Sequence, residues 1–382
     1  MKSKTKVFPI VLFFSVIIML VSCQKQKAKW KGTIEEVDGV TVVKNPESPI
    51  KGIIILEVEK TLEINPYDHH DIGIRNLSSA KDKDGEVILY DLNKPEAYRF
   101  SSKGEYIGSL IREGQGPGEF QPFHGLRIFF MNNQIWATSV MKLAKFNKRG
   151  EFLEEQKLDE SPDILVDESR YITLKRRRSE EGQSRRVTLV NMATKEDIVF
   201  FEAIREWLIR KGTGIFSDSW ATPSIRYAYC PVSNKVFISL NEEYKIYVYD
   251  LEGKLIQIIE RLYKYVKVNL EDKKKLLPWA AKEESWKWAL SAYPDTLAAV
   301  RDLAVLPKGY LAVFRIVGPK KFEIDVYGPD GKLVYIMNAP DGVSLEGVKF
   351  YSFGFTIKET KEDGLEVYAE YEIKNLPDIF EN

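Results

Sequence analysis

Between Asp84 and Phe120 the chain alternates short apolar runs with polar or glycine-containing turns. The order is Gly85–Tyr90 (GEVILY), Ala97–Phe100 (AYRF), a Lys103-Gly104 turn and Tyr106–Ile111 (YIGSLI). A glycine-rich exit follows, Gly114-Gln115-Gly116-Pro117-Gly118-Glu119-Phe120. Runs this short, rich in β-branched and aromatic residues and bounded by turn residues, predict strands paired as hairpins. The unit recurs. Six β-runs share one position in it: Gly85–Asp91, Gln134–Ser139, Arg170–Lys175, Lys235–Leu240, Gly309–Arg315 and Gly364–Glu370. Each follows a polar turn, and each of the first five precedes a second hairpin. Four of those hairpins turn through a charged residue and glycine: Lys103-Gly104, Arg149-Gly150, Glu252-Gly253 and Asp330-Gly331. The third copy has Thr194-Lys195 there instead. Glycine suits a tight hairpin because it takes positive φ at no steric cost.

Spacings of about 36 to about 75 residues, with insertions in the longer ones, fit repeats of four short strands, the sign of a β-propeller. The sixth copy runs out after Tyr351–Ile357 and Gly364–Tyr371. The N-terminal runs Gly39–Val43 and Ile53–Ile64 then read as its missing half, which closes the ring. The expected fold is all-β, a six-bladed propeller closed by N-terminal strands, with helical insertions on one face. The competing arrangement is a β-sandwich followed by an α/β domain, into which six similarly ordered hairpin pairs fit poorly.

The first residues read as a leader. Lys2, Lys4 and Lys6 precede an apolar run from Val7 to Val21, which is shorter than the roughly 20 residues of a membrane span. It ends in Leu20-Val21-Ser22-Cys23, which resembles a bacterial lipobox. That resemblance implies cleavage before Cys23 and lipidation of its thiol. Residues 1–22 are therefore expected to be the signal peptide, 23–32 a lipidated tether and 33–382 the propeller. Gln24, by resemblance to lipoprotein sorting, permits export to the outer membrane. Acyl chains such as palmitate anchor at about 0.8 kcal/mol per buried methylene.

Composition narrows the function. The 382 residues carry 56 basic and 56 acidic side chains, and loss of the leader's lysines leaves a slight excess of acid. That disfavours nucleic acid as a partner. Besides Cys23 only Cys230 is present, in the apolar run Tyr227–Pro231, so there is no disulfide framework and Cys230 is expected in the core.

With Gly39-Val40-Thr41-Val42-Val43-Lys44-Asn45-Pro46, the exit Gly114–Phe120 with Pro122, and strand–turn units such as Tyr247–Lys254, the chain resembles bacterial six-bladed β-propeller lipoproteins related to NHL-repeat proteins. The resemblance covers nearly the whole mature chain. It implies architecture and little chemistry.

Propeller topology puts the loop between second and third strands on the same face as the crossover from blade to blade; this is called the crossover face. Phe201–Lys211, with Ala203, Trp207 and Leu208 at helical spacing, and Leu270–Leu297, with Trp279, Trp286 and Trp288, fall there. Within the second insertion Glu283–Ala289 also reads as helical. The tryptophans either line a ligand site or pack the insertions onto the rim. Arg176, Arg177 and Arg178, with Arg185 and Arg186, are expected in the second-to-third strand loop of the third blade. They are either an anion site or a solvated hairpin tip. His69-His70-Asp71 and His124 lie in crossovers, but adjacent side chains of an extended chain diverge, so His69 and His70 share a metal poorly. Asp82–Glu86 reads as a hairpin turn more than a calcium loop. The glycine-rich exit is expected to be structural, with Glu119 accepting backbone hydrogen bonds and Phe120 wedged between blades.

The expected function is an envelope-anchored lipoprotein whose propeller binds a ligand or a partner, such as an envelope protein, peptide or glycan, on the crossover face. No cofactor is expected. The alternative is a propeller hydrolase, lactonase or lyase with a divalent metal such as calcium, with Asp71, His124 and Asp302 as nominees near inner-strand starts.

Overall fold

The computed structural model describes residues 30–69, 72–122, 125–140, 142–179, 182–205, 209–211, 214–216, 224–278, 287–340, 343, 345, 347–351 and 354–375. The expected signal peptide, Cys23, His70, Asp71, His124, Trp207, Leu208, Trp279 and Trp286 lie outside them, as does the Arg178 side chain.

Four strands precede the first blade: β1 (Thr33–Val37), β2 (Val40–Asn45), β3 (Ile53–Ile55) and β4 (Val58–Ile64). Blade 1 is β5 (Leu77–Lys81), β6 (Val87–Asp91), β7 (Ala97–Phe100) and β8 (Tyr106–Ile111). Blade 2 is β9 (Arg127–Met131), β10 (Gln134–Thr138), β11 (Lys142–Asn147) and β12 (Phe152–Lys157). Blade 3 is β13 (Ile164–Leu165), β14 (Arg170–Ser179), β15 (Gly182–Asn191) and β16 (Asp197–Arg205), followed by the small hairpin β17 (Ile209–Lys211) and β18 (Gly214–Phe216). Blade 4 is β19 (Ile225–Cys230), β20 (Lys235–Leu240), β21 (Lys245–Tyr249) and β22 (Leu255–Arg261). After helices α1 (Leu270–Leu276) and α2 (Lys287–Ala292), blade 5 is β23 (Val300–Val305), β24 (Leu311–Gly318), β25 (Lys321–Tyr327) and β26 (Leu333–Asn338). Blade 6 is β27 (Lys349–Tyr351), β28 (Gly354–Thr360), β29 (Glu366–Ile373) and, outermost, β4.

Strand alternation builds the core. Successive side chains point to opposite faces of a blade, so each blade feeds the seams on both its sides. In β10, Ile135 and Ala137 enter the seam with blade 1, while Trp136 enters the seam with blade 3. In β20, Val236 and Ile238 face blade 3 and Phe237 faces blade 5. The remaining seams, blade 5 with 6 and blade 6 with 1, are built alike. Cys230 is fully buried in the blade 4–5 seam, as expected of a core thiol.

The ring closes differently from the expectation. Tyr351–Ile357 holds the end of β27 and the start of β28, two strands that pair antiparallel. The C-terminal segment therefore supplies three strands of blade 6, and β4 alone, antiparallel to β29, completes it. The expected partner Gly39–Val43 lies elsewhere: β2 runs parallel to β22 on the outside of blade 4, with β1 beyond it. The strand β3 runs parallel to β26 on the outside of blade 5. The chain thus passes around the rim of blades 4 and 5 before closing blade 6. Asn45 pins this strap. Its buried side chain donates to the Gly331 carbonyl (2.9 Å) and accepts from the Leu333 amide (2.8 Å) and the Trp30 indole (3.2 Å).

The glycine turns between third and fourth strands have a second cause besides conformation. Gly253 has φ +86°, and a Cβ there meets Ile198 of blade 3 at 2.7 Å. Gly104, at φ +81°, likewise faces Leu62 of β4 at 3.1 Å. These turns are seated against the outer strand of the preceding blade. Gly253→Ala is expected to lower stability by about 1–3 kcal/mol, because a left-handed conformation costs a residue with Cβ about 1–2 kcal/mol before the contact with Ile198 is counted. Denaturant midpoints with an unchanged slope check this.

The insertion before blade 5 is helical in part: α2 overlaps the expected Glu283–Ala289 run from Lys287 onward, the rest of that run lying outside the described residues, and α1 is a further helix. An Asn269 cap and Asp272 satisfy each other's backbone amides at the start of α1, at 3.0 and 3.2 Å. Lys273 ties α1 to the Tyr293 carbonyl (2.7 Å). The insertion before blade 4 is not helical where described. Phe201–Arg205 continues β16, because β14 and β15 extend well past the usual strand length and offer Gln183–Val187 as a partner edge.

Candidate binding site at the channel mouth

Inner strands begin at the crossover face, so their first residues surround one mouth of the central channel. The residues there alternate in character around the ring. Blade 2 presents Arg127, blade 4 Arg226 and blade 6 Lys349; between them blade 3 presents Asp163, blade 5 Asp302 and blade 1 Ser78 and Ser79. Strand alternation aims the cations. Phe129 and Met131 share the face of Arg127 and pack toward blade 3, so Arg127 reaches Asp163 there at 2.7 Å. Ala228 and Cys230 share the face of Arg226 and pack toward blade 5, where Asp302 and Arg301 are its electrostatic neighbours. Lys349 donates to the Ser79 carbonyl of blade 1. A small hydroxyl residue stands opposite each cation on the second strand: Thr138, Ser239 and Thr356.

Asp163 is the best-held carboxylate of this belt. Besides Arg127 it accepts from the Leu174 amide (2.9 Å) and from the Tyr227 hydroxyl of blade 4. Burial, with Asp163 beside it, pushes the Tyr227 phenol far above its ordinary range, so it stays a donor. Asp302 is different. It is open to solvent, yet the surrounding wall dehydrates it and pushes its carboxyl up, with Arg226, the Leu303 amide (2.9 Å) and Arg301 offsetting part of that rise. It follows a β-bulge: Val300 pairs with Arg315 and Asp302 with Phe314, leaving Arg301 as the extra residue. Bulges re-aim side chains and are common beside functional sites. Burial lowers the Arg226 guanidinium; Asp302 opposes this and Arg301 adds to it.

The residues expected from sequence are placed variously. Asp302 is at the mouth. Arg176 and Arg177 are exposed, but they lie within β14, opposite Arg185 and Ser184, and not in a loop. Trp288 packs in the insertion's own apolar cluster with Leu290 and Tyr293, on Ile316 and Phe322 of blade 5. His69 packs against Tyr106 and Phe100, at 5.0 and 5.9 Å between ring centroids. Asp82 accepts the Asp84 and Glu86 amides at 2.9 and 2.7 Å and forms a hairpin turn. In the glycine-rich exit Glu119 accepts the Gly116 amide (2.9 Å), and Phe120 is buried in the blade 1–2 seam, as expected. Among the described residues no group of three His, Cys, Asp or Glu side chains is arranged to hold a metal. None of their helices is long and apolar enough to cross a membrane.

This ring of six blades is also what comparison with known proteins finds. Residues 68–277 match the family DUF5128, described as 6-bladed beta-propeller, and the chain belongs to it. It is similar in structure to a candidate exported protein of Bacteroides fragilis (12% identity, TM-score 0.45, covering 87% of this chain and 100% of that one). A DUF4221 family member from Bacteroides vulgatus is similar too (11% identity, TM-score 0.46, covering 84% and 99%). So is a calcium-binding protein, regucalcin, from Agrobacterium tumefaciens (8% identity, TM-score 0.36, covering 86% and 98%). No protein of curated function matches the chain.

Proposed function

We propose that this is an envelope-anchored lipoprotein, lipidated at Cys23 and directed to the outer membrane by the residue that follows, whose propeller binds a ligand or partner at the crossover-face mouth of its channel. The observation that carries the reading is the belt of charged inner-strand residues there. Polar groups at the centre of a propeller are costly to dehydrate, and a packed ring needs none of them. Here Arg127, Asp163, Arg226, Arg301, Asp302 and Lys349 converge from blades 2 to 6. The exposed arginines of β14 rise from the same face and suit it for an anionic partner surface.

Thiol labelling tests both parts. Ser78→Cys, at the mouth, is expected to react several-fold more slowly in the intact envelope than after extraction, whereas Lys103→Cys, on the opposite face, reacts alike in both. Protection of Lys103→Cys without protection of Ser78→Cys contradicts the reading. In the same preparations, Cys23→Ser is expected to abolish incorporation of an alkyne fatty acid and to move the protein out of the membrane fraction. Undiminished labelling contradicts the anchor.

A further inference from the structure

We propose that the mouth holds its ligand through a carboxylate or phosphate group, bound at the blade 4–5 seam by Arg226 and Arg301. The inference rests on the crossover-face reading and names the ligand chemistry. Arg226 is half-buried, its Nε is enclosed, and that Nε has no hydrogen-bond partner. No ion pair or hydrogen bond of its guanidinium forms among the described residues; its electrostatic neighbours are Asp302 and Arg301.

The Nε atoms of Arg186, Arg261 and Arg301 are unbonded as well, but Arg186 is paired with Glu202 and Arg261 with Asp325, and other enclosed guanidiniums are held more fully. Arg99 donates to Glu86 at 2.7 and 3.1 Å and to the Lys148 carbonyl at 2.7 Å. Arg315 donates to Asp325 at 3.0 Å. A guanidinium left with open donors in a dehydrated place is costly unless an acceptor from outside completes it, and its planar fork matches carboxylate and phosphate oxygens. Arg301, on the bulge, brings a second positive charge beside Arg226, and Asp302 is an electrostatic neighbour of both.

Titration calorimetry on the soluble domain from Lys25 onward tests this, with inorganic phosphate and citrate as probes at fixed ionic strength. The unaltered domain is expected to bind at least one probe. Arg226→Gln is expected to weaken binding at least tenfold, and Lys103→Gln, in an exposed turn on the opposite face, to leave it unchanged. If Arg226→Gln does not fold, Arg226→Lys decides, since it keeps the charge and loses the fork; a several-fold loss is expected. Uptake of neither probe, or full affinity in both Arg226 variants, overturns the anion site. The thiol-labelling result is independent: mouth protection without anion binding removes this inference alone, and anion binding without mouth protection removes the functional reading alone.

Discussion

A chain that begins at Leu56 is expected to melt as one cooperative unit, and a chain that begins at Asn65 is not. The first loses β1, β2 and β3 but keeps β4. What it gives up is the strap, including buried Val42 and Val43 and the Asn45 bonds to blade 5. At about 1.5–3 kcal/mol for each fully buried aliphatic side chain, several kcal/mol are lost while the ring stays closed. The second chain also loses the ladder from β4 to β29 and buried Ile64, which packs with Tyr368 against blade 1. Blade 6 then ends at an open edge, and the seam to blade 1 is exposed. Calorimetry or circular dichroism distinguishes the two. Equal melting of both chains contradicts closure by β4.

The second large effect is expected at Asp325, which is completely buried in blade 5. It accepts from Arg315 Nε (3.0 Å), from Arg261 across the seam and from the Tyr244 hydroxyl, to which Tyr327 donates in turn (2.9 Å). Arg261 also reaches the Glu47 carbonyl (2.6 Å), so the same cluster holds the strap. Asp325→Ala leaves two enclosed guanidiniums without their shared carboxylate and is expected to cost about 3–5 kcal/mol, the range for breaking a buried ion pair from one side. Asp325→Asn keeps an acceptor and is expected to cost less. Equilibrium denaturation measures both; a loss below about 1 kcal/mol for the alanine variant contradicts this role, since a buried charge left unpaired costs more than that.

The repeat was legible because each blade states itself locally. Alternating apolar positions and charged-residue–glycine turns are short-range signals, and they mark the hairpins in blades 1, 2, 4 and 5. The path of the N-terminus was not legible. Val40–Asn45 and Val58–Ile64 are both amphipathic strands, and which blade each joins depends on partners more than two hundred residues away. Phe201–Arg205 fits a helical stripe as well as a strand; the long partner edge of β15 decides it.

At the site, Asp302 stood out as a carboxylate near the start of an inner strand, whereas Arg127, Asp163, Arg226, Arg301 and Lys349 did not. Each looks like an ordinary surface charge until the blades are superposed on one another. Its place at the first positions of an inner strand is then the signal. The runs of arginines and the tryptophans drew attention by composition. Position along the strand, which sets what faces the channel, carries more information about the site.

Hydrogen exchange on the full-length protein, in its own envelope and after extraction, tests the central claim most directly. The account predicts added protection in the envelope at the inner-strand starts, peptides covering 125–131, 224–230 and 299–305, with the turns at 83–86, 101–105 and 148–151 unchanged. Protection confined to those turns, or none at either end of the channel, would contradict the assignment of the crossover-face mouth as the binding site.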